Sequence, residues 1–269
     1  MRIGNREFVT TGHTYVMGIL NVTPDSFSDG GLYHKFDDAL YRAQKMADEG
    51  ADLIDVGGES TRPGYTPVPE AEEIERVAPV IEAIKARIDI PVSVDTYKAG
   101  TARAAIAAGA DLINDISGLT IEPALAQVIA EAGLPCCLTH YRPEADYEDF
   151  LNDWIGDMKK IVLKAIKSGV RREQIILDPG IGFGKTADQN LLALRHLGMY
   201  HELDYPVLLG ASRKSVIGSV LGNPVEDRLI GTVVTTVRAV FGDCMIVRVH
   251  DVKENVEAIR MAEAIRHAQ

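Results

Sequence analysis

Two cations and an imidazole in the last third of the chain point to anion chemistry. Arg248 and His250 stand two residues apart in an apolar, β-branched run, so their side chains leave one face of a strand. Lys214, within Ser212-Arg-Lys-Ser215, follows the preceding apolar run and adds a third cation. A planar guanidinium fork beside an imidazole and an ammonium suits a phosphate-bearing ligand. The plain alternative is three solvated surface cations, yet cations are unfavourable at helix N-termini, where these would fall. Other apolar runs end in oxygen-bearing residues: Asp95 closes SVD, Asn114 lies in LIND and Asp178 closes IILD. An ionised carboxylate only accepts, whereas an amide both donates and accepts, so this trio suits the N–H edge and ring nitrogens of a flat heterocycle. Three hard oxygen ligands also permit a divalent cation. Asn21, Asp55, His140 and Ser212 occupy equivalent positions, and Asp55 is among those that read as caps of a following helix.

The glycine-rich segment DPGIGFGKT is not a nucleotide loop. A Walker A motif needs glycine five residues before Gly184, and Pro179 stands there; a dinucleotide fingerprint needs GxGxxG, and this is GxGxG. Its glycines are expected to let a tight loop pass close to a planar ligand. No zinc spacing exists, so Cys136, Cys137 and His140 read as ordinary structural residues. Two longer segments, 21–31 and 57–64, mix glycine, proline and hydroxyl residues with isolated charges, as active-site lids do.

Such residues need a scaffold that gathers strand ends at one mouth. Apolar runs at 15–21, 53–57, 92–95, 112–115, 135–140, 175–178, 207–211 and 245–250 lack clean alternation, as parallel strands buried on both faces do. Helical patterns at 37–49, 70–86, 99–108, 123–131, 147–167, 189–196, 224–240 and 253–267 alternate with them. Asp251 and Glu254 read as a capping box for the last helix. Eight β/α units predict an α/β fold, a (β/α)8 TIM barrel spanning 1–269 as a single domain, with an open doubly wound sheet as competitor. The polar residues then collect at the C-terminal strand ends, the catalytic face of such barrels. A net charge of −11 argues against nucleic acid and anionic membrane as partners. Three cysteines, no signal-like N-terminus and no apolar run of membrane length predict a cytoplasmic enzyme.

Taken in order, NVTPDSFSDGG, GGESTRPG, SVDT, NDISG, DPGIGFGK, SRKS and RVHDV closely resemble the dihydropteroate synthase family, from Met17 to about Glu257. That resemblance implies a homodimeric TIM-barrel transferase of folate biosynthesis, the sulfonamide target. It implies condensation of 6-hydroxymethyl-7,8-dihydropterin pyrophosphate with p-aminobenzoate to 7,8-dihydropteroate and pyrophosphate. Asp95, Asn114, Asp178 and Lys214 match its pterin-binding residues. Asn21, Thr61, Arg62, Arg248 and His250 match its pyrophosphate pocket, with Asn21 also meeting a Mg²⁺ that enters with the substrate. Pro63, Phe183, Lys214 and Ser215 match its aminobenzoate pocket. Phe27 and Asp29 match first-loop residues that close over the reacting centre, where Lys214, Arg248 and His250 also act. The chain departs from the family at Thr139-His140-Tyr141-Arg142, where many members carry methionines that pack on the pterin. Rival readings are a methyltetrahydrofolate:corrinoid methyltransferase, which has no use for an anion pocket, a non-catalytic pterin-binding protein, and an aldolase using Lys214 as a Schiff base.

Overall fold

Parallel β-strands form one eight-membered sheet among the residues that the computed structural model describes, 1–22, 32–59 and 67–268. A small antiparallel hairpin comes first, β1 (Arg2–Ile3) with β2 (Arg6–Glu7). The barrel strands are β3 (Tyr15–Asn21), β4 (Leu53–Gly57), β5 (Val92–Asp95), β6 (Leu112–Asp115), β7 (Cys136–Thr139), β8 (Ile175–Asp178), β9 (Leu208–Leu209) and β10 (Ile246–Val249). Around them run α1 (Leu32–Asp48), α2 (Glu70–Arg87), α3 (Ala99–Ala107), α4 (Leu125–Ala132), α5 (Phe150–Lys167), α6 (Ala187–Arg195), α7 (Ser215–Leu221), α8 (Leu229–Phe241) and α9 (Val252–His267). The strands neighbour in the order β8-β7-β6-β5-β4-β3-β10-β9. The ring closes where Leu177 bridges Val207 and its amide donates to Pro206 O at 2.9 Å. The fold is the expected TIM barrel.

Alternation along the strands sorts the interior into two layers. Met17, Leu53, Leu112, Cys137, Ile176, Leu208 and Ile246 pack together in the lower barrel, and Ile3 and Phe8 from the hairpin region plug its floor. Two residues further along, on the same face of each strand, come Ile19, Asp55, Asn114, Thr139, Asp178, Gly210 and Arg248. An apolar floor therefore carries a polar layer directly above it. The outward faces of the strands build the larger core against the helices, around Val56, Val94, Ile113, Leu138 and Val247.

Local chemistry sets several helix ends. Asp149 caps α5 by accepting from Asn152 N, and Thr186 with Gln189 forms a reciprocal capping box at α6. The last helix differs from expectation: Asp251 makes no side-chain cap there, because the Arg213 guanidinium takes its carboxylate, with Nε 3.0 Å from Oδ2. The pattern at 224–240 also divides. After α7, Gly222 turns left-handed, a short 3-10 turn covers Val225–Asp227, and α8 begins only at Leu229.

Candidate active site

Arg248 lies at the centre of the polar layer. Its Nε donates to Asp55 Oδ2 at 2.6 Å, and one terminal nitrogen donates to Asp95 Oδ2. Asn114 Nδ2 donates to the same Asp55 oxygen at 3.0 Å. Asp55 is wholly buried and faces the barrel interior, so it is no helix cap. Its position two residues after Leu53 was the available signal. Burial and the like charge of Asp55 push the Asp95 carboxyl up, against the pull of Arg248. Arg248 itself is held more firmly protonated, since two flanking carboxylates outweigh its burial. Among the described residues, Asp55 Oδ1 and Asp95 Oδ1 are buried without a hydrogen-bond partner. Buried orphan acceptors of this kind await a donor.

Asp178 ends β8 opposite. Its Oδ1 accepts from Gly180 N at 2.7 Å, and burial raises its carboxyl although Lys214 and Arg248 oppose the shift. A Cβ on Gly210 would lie 3.2 Å from Asp178 Oδ2 and 3.9 Å from Lys214 Nζ, so glycine leaves an open floor between carboxylate and ammonium. Lys214 donates to Ile181 O and stands 4.6 Å over the Phe183 ring. Burial draws its ammonium down to about 8, with Asp178 resisting. His250 Nδ1 and Ser212 Oγ are 2.9 Å apart.

A cavity of about 220 Å³ opens onto this layer. Asn21, Asp95, Phe183, Lys214, Ser215, Arg248 and His250 all contribute to its wall. Asn114 and Asp178 sit at the ends of the adjoining strands. Phe27, Asp29, Thr61, Arg62 and Pro63, and the lid segments that carry them, lie outside the described residues. Sequence reasoning missed Asp55 as a site residue, and also Glu59, Arg213 and Arg228, which line the same cavity. Glu59 follows β4 in the GGEST motif and is bound by Lys98 Nζ at 2.6 Å and Tyr97 Oη at 3.0 Å.

A divalent cation within the Asp95, Asn114 and Asp178 trio does not fit, because a guanidinium already pairs with Asp95 there and Asn114 presents its NH2 to Asp55. The glycines of 180–184 divide: a Cβ on Gly180 or Gly184 would lie 1.9 Å from His140 O or 2.2 Å from Arg142 O, so these two serve the neighbouring backbone, whereas Gly182 lines the cavity as expected. The segment after β7 therefore backs this loop. There Tyr141 lies 6.4 Å from Phe183, ring to ring, while Arg142 Nε donates to Asp157 at 2.6 Å.

A barrel whose mouth joins an acid-lined slot to a cationic wall belongs to a recognisable class. Residues 17–250 match the family model described as pterin binding enzyme, and the chain belongs to that family. A dihydropteroate synthase of Clostridium beijerinckii is 54% identical over 266 residues, covering 98% of this chain and 99% of the relative. The crystal structure of a dihydropteroate synthase from Clostridium difficile in the presence of pteroic acid superposes with a TM-score of 0.94 at 47% identity, covering 97% and 100% of the two chains. One from Xanthomonas albilineans with 4-aminobenzoic acid gives 0.92 at 41% identity, covering 96% and 94%. Within the family, then, this chain stands among the dihydropteroate synthases, transferases of folate biosynthesis.

Proposed function

We propose that the barrel joins 6-hydroxymethyl-7,8-dihydropterin pyrophosphate to p-aminobenzoate, forming 7,8-dihydropteroate and releasing pyrophosphate. The observation that carries this reading is the pairing, in one cavity, of the orphan Asp95 carboxylate oxygen with the cations of Arg248 and Lys214 and the His250 side chain. Pteroic acid and 4-aminobenzoic acid accompany the two solved relatives, which supports the same ligands here.

The pterin N–H edge lies against Asp95, Asn114 and Asp178. The exocyclic C–O bond breaks first, its electron pair leaving with pyrophosphate. Arg248 and His250 stabilise that growing charge, with Thr61 and Arg62 contributing from the second loop. The ring delocalises the methylene cation, and Asp29 and Phe27 close over it. The arylamine, held by Pro63, Phe183, Lys214 and Ser215, then attacks with its nitrogen lone pair and sheds a proton to solvent. Positioning and preorganised charge supply most of the rate enhancement. Asn21, whose amide oxygen is a hard donor at the cavity wall, would hold Mg²⁺ that enters with the pyrophosphate. When bound, the ion would neutralise charge on the leaving oxygens.

The reading is tested by a coupled pyrophosphate assay. Release is expected only when both substrates are present; release without the arylamine, or none with both, overturns it.

The chain is proposed to act as one domain, in the cytoplasm. Its three buried free thiols suit a reducing compartment. It is further proposed to pair with a second copy through α6, α7 and α8. Ile230, Val234 and Val220 are 71%, 62% and 58% exposed there and border an apolar groove of about 360 Å³. Replacing Ile230 and Val234 together by Asp should halve the mass seen by light scattering, from dimer to monomer. A wild-type monomer, or an unaltered dimer in the double variant, removes this interface.

A further inference from the structure

Phe183 reaches the cavity from a loop whose restraint lies behind it. Lys185 ends that loop, and an ammonium has three N–H donors. Those of Lys185 go to Gly180 O at 2.8 Å, Phe183 O at 3.1 Å and His140 Nδ1 at 2.9 Å. All three acceptors are neutral, and among the described residues no carboxylate touches this ammonium. A buried cation is costly, and here three hydrogen bonds, with no contacting counter-charge, must offset that cost.

The imidazole that receives it is itself oriented. His140 is fully buried, and burial draws its ring down to about 4, so at neutral pH it is uncharged and can accept at Nδ1. Its proton then sits on Nε2, which faces Asp157 Oδ2 at 3.6 Å, too far for a hydrogen bond. Asp157 is fixed in turn by Arg142 Nε at 2.6 Å and Lys160 Nζ at 2.9 Å. The hydrogen bonds therefore run from His140, at the end of β7, through Lys185 to the carbonyls of the loop, and the Asp157 carboxylate of α5 faces the far side of the ring. On the cavity side, Lys214 holds the intervening Ile181 O.

We propose that Lys185 is a positioning residue for the second substrate: its ammonium, oriented by His140, locks the Gly180 and Phe183 carbonyls and so fixes the Phe183 ring where the arylamine must lie. The proposal rests on the aminobenzoate reading of that pocket. Asp178 is placed chiefly by its strand, β8, and meets this loop through the bond from Gly180 N.

A pH signature accompanies the geometry. Burial draws Lys185 down to about 7; Asp178 on β8 and Asp157 on α5 favour its charge, while Lys214 before α7 and Arg142 after β7 oppose it. As pH rises through that value the ammonium becomes an amine with two N–H groups, and one of the three bonds is lost. An arginine stays charged throughout.

The full chain is assayed as wild type, Lys185→Met and Lys185→Arg, at saturating pterin pyrophosphate between pH 6 and 9. At pH 6, Lys185→Met should raise KM for p-aminobenzoate about tenfold, while calorimetric affinity for pterin pyrophosphate stays within about twofold. Between pH 6 and 7.5, ahead of the Lys214 titration near 8, wild-type KM should climb, and Lys185→Arg should keep a low KM that stays flat. Unchanged KM in Lys185→Met, or equal losses in both affinities, overturns the proposal. If the methionine variant fails to fold, parallel wild-type and arginine pH profiles do the same. Trp154, the sole tryptophan, donates from Nε1 to Pro179 O at 2.9 Å, so its emission reads the loop without substrate. A transition near pH 7 in wild type but not in Lys185→Arg supports the lock even should the assigned turnover fail, and its absence counts against the lock alone.

Discussion

Arg248→Ala should damage the fold and the turnover together. Asp55 and Asp95 share this one guanidinium, and both carboxylates are buried. Removing one partner of a buried ion pair costs about 3–5 kcal/mol, because the remaining charges lose compensation without regaining water. Turnover should fall by a further factor of about 100 to 1000, the loss of one preorganised donor to developing charge. The stability deficit should depend on pH with a definite sign. Burial already raises the Asp95 carboxyl, and losing the cation raises it further. Near neutrality the folded variant then binds more protons than its unfolded chain, so its stability falls as pH rises. Urea titrations at pH 5.5 and 8 should show the larger deficit at pH 8. Arg248→Lys keeps the charge but not the fork that reaches both acids, so it should recover stability in part and turnover hardly at all. Wild-type turnover in Arg248→Ala would remove the residue from the chemistry.

The barrel was readable because its strands are buried on both faces and end in residues that a core would reject. Asn114, Asp178 and Arg248 follow apolar partners at a spacing of two, as Asp95 follows the buried Ser93, and that spacing places them on one interior ring. The same rule applied to Leu53 identifies Asp55, and treating it as a cap ignored which face it leaves. Other features had no local signature. The pairing of Arg213 with Asp251 joins residues 38 positions apart, so the capping box expected at α9 lost its aspartate to a partner invisible along the chain. The close backing of Gly180 and Gly184 against His140 and Arg142 depends on two loops meeting, and glycine spacing cannot tell a neighbouring backbone from a ligand. His140 and Lys185, each unremarkable in sequence, gain meaning only once β7 and β8 lie side by side.

Asp178→Asn isolates the recognition of the heterocycle from the fold that presents it. The replacement is nearly isosteric, and its amide oxygen can still accept from Gly180 N, which now meets Asp178 Oδ1 at 2.7 Å. The NH2 group then takes the Oδ2 position, over the open floor of Gly210. There it offers a donor to the donor edge of the pterin, so a charge-assisted bond is replaced by a clash. Losing such a bond is worth about 1.5–3 kcal/mol, and with the mismatch the affinity for a pterin should fall about 100-fold by calorimetry, while secondary structure and cooperative unfolding persist. A second readout follows from charge. Asp178 is the first group that supports protonation of Lys214, whose ammonium burial has already drawn down to about 8. Without that carboxylate Lys214 should lose its proton at lower pH still, and the alkaline limb of the activity profile should move with it. A profile that stays fixed while affinity collapses would separate the two roles, leaving Asp178 to read the ring and some other group to keep Lys214 charged. Unchanged affinity would mean that the orphan oxygens of Asp55 and Asp95 hold the pterin without help from β8.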